Sequence, residues 1–241
     1  MTAWMADPQI WASLLALTAL EIVLGIDNVI FVSIVSADLP GAQAARARRL
    51  GLSAALIMRI GLLAGIAWIA GLKAPIAEIF GFALSWRDAL MLSGGMFLLW
   101  KSTKEIHNAV EGEDLQRRAG GAESFASVVA QIMVLDLVFS IDSVITAVGM
   151  ARHLPVMIAA VVIAMAIMLF ASGPVSAFIE RHPTTKMLAL NFLLLVGAAL
   201  IADGMHFHIP RGYLYFAIAF SAGVEALNLI ASRRRSVQAA L

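Results

Sequence analysis

The chain is 241 residues long, 61% hydrophobic and only 14% charged, with a mean hydropathy of +0.89 and a formal net charge of +1. Soluble domains run to about 45–50% apolar and about 25% charged residues, so too few polar side chains exist here to cover a water-facing globule, and disorder is excluded with solubility. The near-zero net charge leaves no electrostatic footprint for nucleic acid, and the absence of cysteine excludes a disulfide framework, a thiolate metal site and a cysteine nucleophile.

Residues 1–9 contain no basic residue, and the apolar run behind them holds Glu21 and Asp27. A secretory signal has neither property. A membrane-spanning helix needs about 20 mostly apolar residues. Seven segments qualify: about 10–36, 50–72, 88–106, 125–150, 154–179, 186–204 and 212–232. The fifth is the clearest, since residues 153–179 carry no Asp, Glu, Lys or Arg, whereas Lys101, Lys104 and Glu105 crowd the end of the third. A strict hydropathy cut would drop or split some acid-bearing spans. Residues 111–118, followed by Gly120 and Gly121, form the one long polar stretch and read as a solvated connector. The expected architecture is all-α and polytopic, with seven transmembrane helices in a single membrane domain.

Basic residues set the orientation. With the N-terminus outside, the inner segments hold twelve: Arg46, Arg48, Arg49, Lys101, Lys104, Arg117, Arg118, Arg181, Lys186, Arg233, Arg234 and Arg235. The outer segments hold four, Lys73, Arg87, Arg152 and Arg211, and Arg59 lies inside the second span. This predicts a plasma-membrane protein of bacterial inner-membrane type, N-terminus out and C-terminus in the cytoplasm. Trp4, Trp11, Trp68 and Trp86 read as interface anchors, and the arginine triplet at 233–235 reads as a topology signal touching anionic lipid.

An internal repeat organises the chain. Glu21-Ile-Val-Leu-Gly-Ile-Asp27-Asn28-Val-Ile30 matches Asp136-Leu-Val-Phe-Ser-Ile-Asp142-Ser143-Val-Ile145 at a constant offset of 115, which still holds at Leu39-Pro40 against Leu154-Pro155. A weaker echo relates Gly95-Met-Phe-Leu-Leu to Gly197-Ala-Ala-Leu-Ile, and it aligns Lys101 with Asp203, either a span-end pair or merely snorkelling ends. The first acid motif lies in span one and the second in span four, three spans further on, so the two copies cross the membrane in opposite directions. That is the inverted-repeat plan of many transporters. The expected division is repeat one at about 10–106, a cytoplasmic connector at 107–124, repeat two at about 125–204, and an extra span at about 212–232.

Glu21, Asp27, Asp136, Asp142 and Glu225 all fall inside expected spans. Each costs about 2.5–3.5 kcal/mol at a helix centre, roughly 12–17 kcal/mol for the five. They persist only if they face a protein interior, carry protons or meet cations. Helical geometry puts Thr18, Glu21, Gly25 and Asn28 on one stripe of span one, and Asp136, Ser140, Ser143 and Thr146 on the matching stripe of span four. Small residues at Gly25 and Ser140 allow close packing, which would bring Glu21 and Asp136 within reach of one ion. Asp27 and Asp142 lie about 120° further round and address a neighbouring groove, unless a break at Gly25 turns Asp27 inward. Glu225 and Asn228 add an acid and an amide to one face of span seven.

Such oxygen donors without sulfur suit a hard divalent cation, Mn²⁺, Mg²⁺ or Ca²⁺. A proton relay and a purely structural ion-pair network are the alternatives. Arg59 reads as the structural counter-ion of one acid. Asp203, His206 and His208 read as interfacial polar residues rather than ligands, and the scattered methionines as lipid-facing packing. No nucleophile with its base, phosphate loop or dinucleotide fingerprint is present, so the expected protein is not an enzyme and carries no prosthetic group.

The two acid motifs resemble the two signatures of the TerC family of membrane proteins. Gly94-Gly95-Met-Phe-Leu-Leu, His208-Ile-Pro-Arg-Gly-Tyr213 and Glu225-Ala-Leu-Asn228 fit the same family, and the resemblance runs from about residue 10 to 230. It implies a seven-helix protein grouped with LysE-type exporters. Some members are linked to manganese export, some to supplying manganese to enzymes that fold outside the cell, and the name comes from a tellurium-resistance operon. By resemblance, the metal-ligand positions are Glu21, Asp27, Asn28, Asp136, Asp142, Ser143, Glu225 and Asn228. The expected function is therefore a divalent-cation transporter, foremost a Mn(II) exporter working by alternating access. Its partners are the ion and membrane lipid, and a homo-oligomer is compatible with the sequence. The rival readings are a membrane factor delivering Mn(II) to exported enzymes and a small-solute exporter of the amino-acid type.

Overall fold

The structure is a computed structural model and describes residues 8–65, 75–79, 82–111, 124–150 and 154–238. Trp4, Trp68 and the connector at 112–118 fall outside the described residues.

The first apolar run forms two helices, α1 (Pro8–Leu24) and α2 (Ile26–Ser36), separated at Gly25. Gly25 has φ −99° and ψ 0°, which takes the chain out of helical geometry for one residue. A Cβ there would lie 2.9 Å from the Glu21 carbonyl oxygen and closer still to the Met168 sulfur, so only glycine fits this bend without displacing a neighbour. Helix α3 follows (Gly41–Ala64), then α4 (Trp86–Glu111), α5 (Phe125–Met150), α6 (Leu154–Arg181), α7 (Pro183–Gly204) and α8 (Arg211–Gln238).

Most bounds stay close to the expected spans, but α3 begins nine residues before the expected 50–72 and ends at Ala64, residues 66–72 lying outside the described ones. Helix α4 continues through 107–111, the first part of the expected connector. Among the described residues the fold is all-α apart from β1 (Pro75–Ile79) and β2 (Phe82–Ser85), a small antiparallel ladder. Ser85 then starts α4 as one half of a capping box with Asp88. The Ser85 N–H donates to Asp88 Oδ2 at 2.9 Å and the Asp88 N–H to Ser85 Oγ at 3.2 Å.

By length and apolarity alone, three helical stretches among the described residues qualify as membrane spans: Pro8–Ser36, Leu154–Arg181 and Pro183–Gly204. Helix α3 falls short through Arg48, Arg49 and Arg59, of which Arg59 is buried, and α4 through a polar stripe that is buried: Lys101, Ser102, Glu105 and Asn108. The outside is correspondingly apolar, with Leu15, Ile57, Phe170, Phe216 and Leu227 exposed. Polar side chains inside and large apolar ones outside are what hydrocarbon selects and water does not. The chain is an integral membrane protein.

Packing pairs the helices in a regular way. Helix α1 runs against α6, α3 against α5, and α4 against α7, the most extensive contact of all. The α4–α7 contact closes on two glycines. A Cβ on Gly95 would lie 2.7 Å from the Gly197 carbonyl oxygen, and one on Gly197 would lie 3.1 Å from the Gly95 carbonyl oxygen. Gly95→Leu should therefore push two helix backbones apart and cost about 1–3 kcal/mol. Gly61→Leu, where a Cβ meets nothing within 4 Å, should change stability by less than about 0.5 kcal/mol. Thermal unfolding in detergent distinguishes the two.

Candidate cation site

Four helices bring polar side chains to one buried point. Glu21 arrives in the last turns of α1, Asn28 on the first turn of α2 beyond the Gly25 break, Arg59 on α3, and Asp136 and Ser140 one turn apart on α5. None exceeds 4% exposure, so water cannot solvate their charges. Arg59 Nη1 lies 2.5 Å from Glu21 Oε2 and Nη2 lies 2.9 Å from Asp136 Oδ1. Its Nε donates to Ser140 Oγ at 2.9 Å, and that hydroxyl donates to Asp136 Oδ2 at 3.1 Å. The Asn28 side-chain amide donates to Asp136 Oδ1 at 3.2 Å. Every member thus touches Arg59 or Asp136, and the guanidinium joins acids from both copies of the repeated motif. Thr18, one turn before Glu21 on the same stripe, has a buried hydroxyl oxygen without a hydrogen-bond partner among the described residues.

The break at Gly25 changes what Asp27 does. It sits in the first turn of α2, where the helix dipole favours a carboxylate, and its Oδ1 accepts the Asn28 backbone N–H at 2.9 Å. Asp27 lines a separate cavity of about 30 Å³ with Phe139, Phe192, Val196, Tyr215 and others. That volume is large enough to hold a water molecule. Asp27 thus lines this cavity, and its charge also acts on the Arg59 guanidinium.

Other sequence-selected residues go elsewhere. The side chains of Asp142 and Ser143 lie outside the described residues. Glu225 accepts hydrogen bonds from the Thr184 and Thr185 hydroxyls at the start of α7, and Asn228 is exposed, so neither reaches the Arg59 cluster. Among the described residues, no group of three or more His, Cys, Asp or Glu side chains stands ready to hold a metal. The cluster offers two acids with amide and hydroxyl oxygens, and a guanidinium between the acids.

A second buried network was missed by sequence reasoning. Lys101 does not pair with Asp203. Its Nζ lies 3.0 Å from Asp38, in the α2–α3 link, and 3.2 Å from Glu105 on the next turn of α4. Asp203 meets His208 instead, at 3.2 Å. Nearby, Arg48 donates to Ser36 and Ser176, both at 3.2 Å, tying α3 to α2 and α6. The available signal was the spacing of Ser102, Glu105 and Asn108 at i, i+3 and i+6, a polar stripe on an otherwise apolar helix. At the opposite end His206 Nε2 lies 3.0 Å from Asp88 Oδ2, and both histidines are exposed, as interfacial residues are.

The sequence profile described as Integral membrane protein TerC family matches residues 6–239. The chain belongs to that family. It is 54% identical over 234 residues to UPF0053 inner membrane protein YgdQ of Escherichia coli, covering 96% of this chain and 98% of that protein. A UPF0053 protein of Haemophilus influenzae is 50% identical over 230 residues, covering 95% and 97%. UPF0053 inner membrane protein YoaE of Escherichia coli is 54% identical over 231 residues, 95% of this chain but 45% of that longer protein. No solved structure matches the chain. YgdQ, matched over nearly its full length, is named as an inner membrane protein, in keeping with the apolar exterior described above.

Proposed function

We propose that this TerC-family protein exports divalent cations, Mn²⁺ foremost, from the cytoplasm by alternating access around the Glu21–Asp136 pair. One observation carries the reading: acids from the two copies of the motif meet at one buried point, where burying them serves packing poorly and ion binding well. The donors are hard oxygens, the set that suits Mn²⁺, Mg²⁺ or Ca²⁺ rather than copper or zinc. The Thr18 hydroxyl supplies a further buried oxygen beside them.

The chain would cross the membrane seven times, α1 and α2 forming one broken span. Two three-span repeats of opposite direction and an added α8 account for the packing. A twofold axis relating the repeats exchanges the α1–α6 contact with the α3–α5 contact and maps α4–α7 onto itself. Gly95 and Gly197, equivalent in the weak echo, meet on that contact. A helix broken near the middle of the membrane is the usual place for a transporter site. The excess of basic residues in the inner segments puts the N-terminus outside.

Two measurements test this. Cells lacking the protein should accumulate manganese and grow poorly in excess Mn²⁺, and re-expression should reverse both. Unchanged manganese with impaired exported manganese enzymes would instead favour metal delivery to partners. For orientation, cysteine placed singly at Ala119 or Ala239 in this cysteine-free chain should resist an impermeant thiol reagent in whole cells. Ready labelling at either position would reverse the assignment.

A further inference from the structure

Arg59 sits where the proposed substrate would bind. Its guanidinium is bonded to Glu21 and Asp136 at 2.5 and 2.9 Å and is itself 2% exposed, so it fills the space between the acids. Space and donors decide whether a metal enters beside it or in its place. Glu21 Oε2 and Asp136 Oδ1 both already accept from the guanidinium, and an ion bridging the same two acids at about 2.1–2.6 Å needs the room the guanidinium fills. Held that close, two cations would also repel each other with little screening. Exchange therefore wins over addition. Asn28 and Ser140 also hydrogen-bond Asp136, so its carboxylate stays held when the arginine leaves.

We infer that Arg59 is a tethered counter-cation that alternates with the metal on the Glu21–Asp136 pair, taking its place in the empty carrier. The inference rests on the function proposed above and adds a consequence. A carrier that releases its ion must return empty, and two bare carboxylates in hydrocarbon make that return unfavourable. Arg59 compensates them, so the empty form can reorient and transport can be net rather than exchange alone. One cation serves both halves: at the repeat offset of 115 the residue equivalent to Arg59 is Pro174, inside α6. The halves are thus unlike at the one position that neutralises the site.

Purified wild type, Arg59→Gln and Arg59→Lys in sealed vesicles provide the test. Net Mn²⁺ efflux into metal-free buffer is measured beside tracer exchange with Mn²⁺ on both sides. In Arg59→Gln the ratio of net efflux to exchange should fall at least about tenfold, since one uncompensated intramembrane charge already costs more than a factor of ten. Saturating Mn²⁺ should also raise its melting temperature by more than it raises that of the wild type, because the ion no longer competes with a guanidinium. Arg59→Lys, which keeps the charge, should hold the ratio nearer wild type, and it decides the matter if Arg59→Gln fails to insert. Parallel loss of net efflux and exchange in both variants would overturn the inference and leave Arg59 a structural partner. So would net efflux surviving in Arg59→Gln. If the wild type shows no flux and no metal-induced stabilisation, the proposed function fails and the inference falls with it, a result distinct from either.

Discussion

Arg59→Met lowers the stability of the metal-free protein by roughly 3–5 kcal/mol, the cost of leaving buried charge without its partner. Methionine matches the length of the arginine stem, so little of the loss comes from a cavity. The penalty arises because Glu21 and Asp136 then face each other at 1% and 3% exposure with no cation between them. Neutralising them should recover most of it. Arg59→Met combined with Glu21→Gln and Asp136→Asn should approach wild-type stability in detergent while losing transport altogether. Equal destabilisation of the single and triple variants would show that packing, not charge, is what Arg59 provides.

Lys101→Met should cost about 3 kcal/mol, the lower end of the same range. Asp38 keeps 28% of its side chain exposed and so recovers some hydration, whereas Glu105 cannot. Glu105→Gln in the Lys101→Met background should restore stability, and Asp38→Asn should restore less. Thermal unfolding of the two double variants reads the difference directly. Transport should respond less than stability does, since neither residue belongs to the Glu21–Asp136 cluster.

The helices were legible because hydropathy and length act locally. The α5 bounds, 125–150, coincide with the apolar run between the charged connector and Arg152. The pairing of Glu21 with Asp136 was suggested by the repeat, since matched polar residues on two apolar helices have to be buried against something. The β1–β2 ladder escaped because its strands, Pro75–Ile79 and Phe82–Ser85, are mostly apolar and show no two-residue alternation. Lys101 escaped for a different reason. Its partner Asp38 is 63 residues away, and only the relative placement of α4 and the α2–α3 link decides between Asp38 and Asp203. Glu225 looked like a ligand on one face of its helix, but helical phase names the face and not the neighbour: the neighbours are Thr184 and Thr185. The role of Gly25 was visible as a small residue on the acid stripe, while the Met168 side chain that packs against it from α6 is a tertiary contact.

Mn²⁺ flux in sealed vesicles containing only this protein tests the central claim most directly, with the wild type measured beside Asp136→Asn. The account predicts protein-dependent Mn²⁺ movement in the wild type, and its loss in Asp136→Asn although that variant still inserts and folds. Wild-type flux that survives in Asp136→Asn, or vesicles that stay as tight to Mn²⁺ with the wild type as without it, would contradict it.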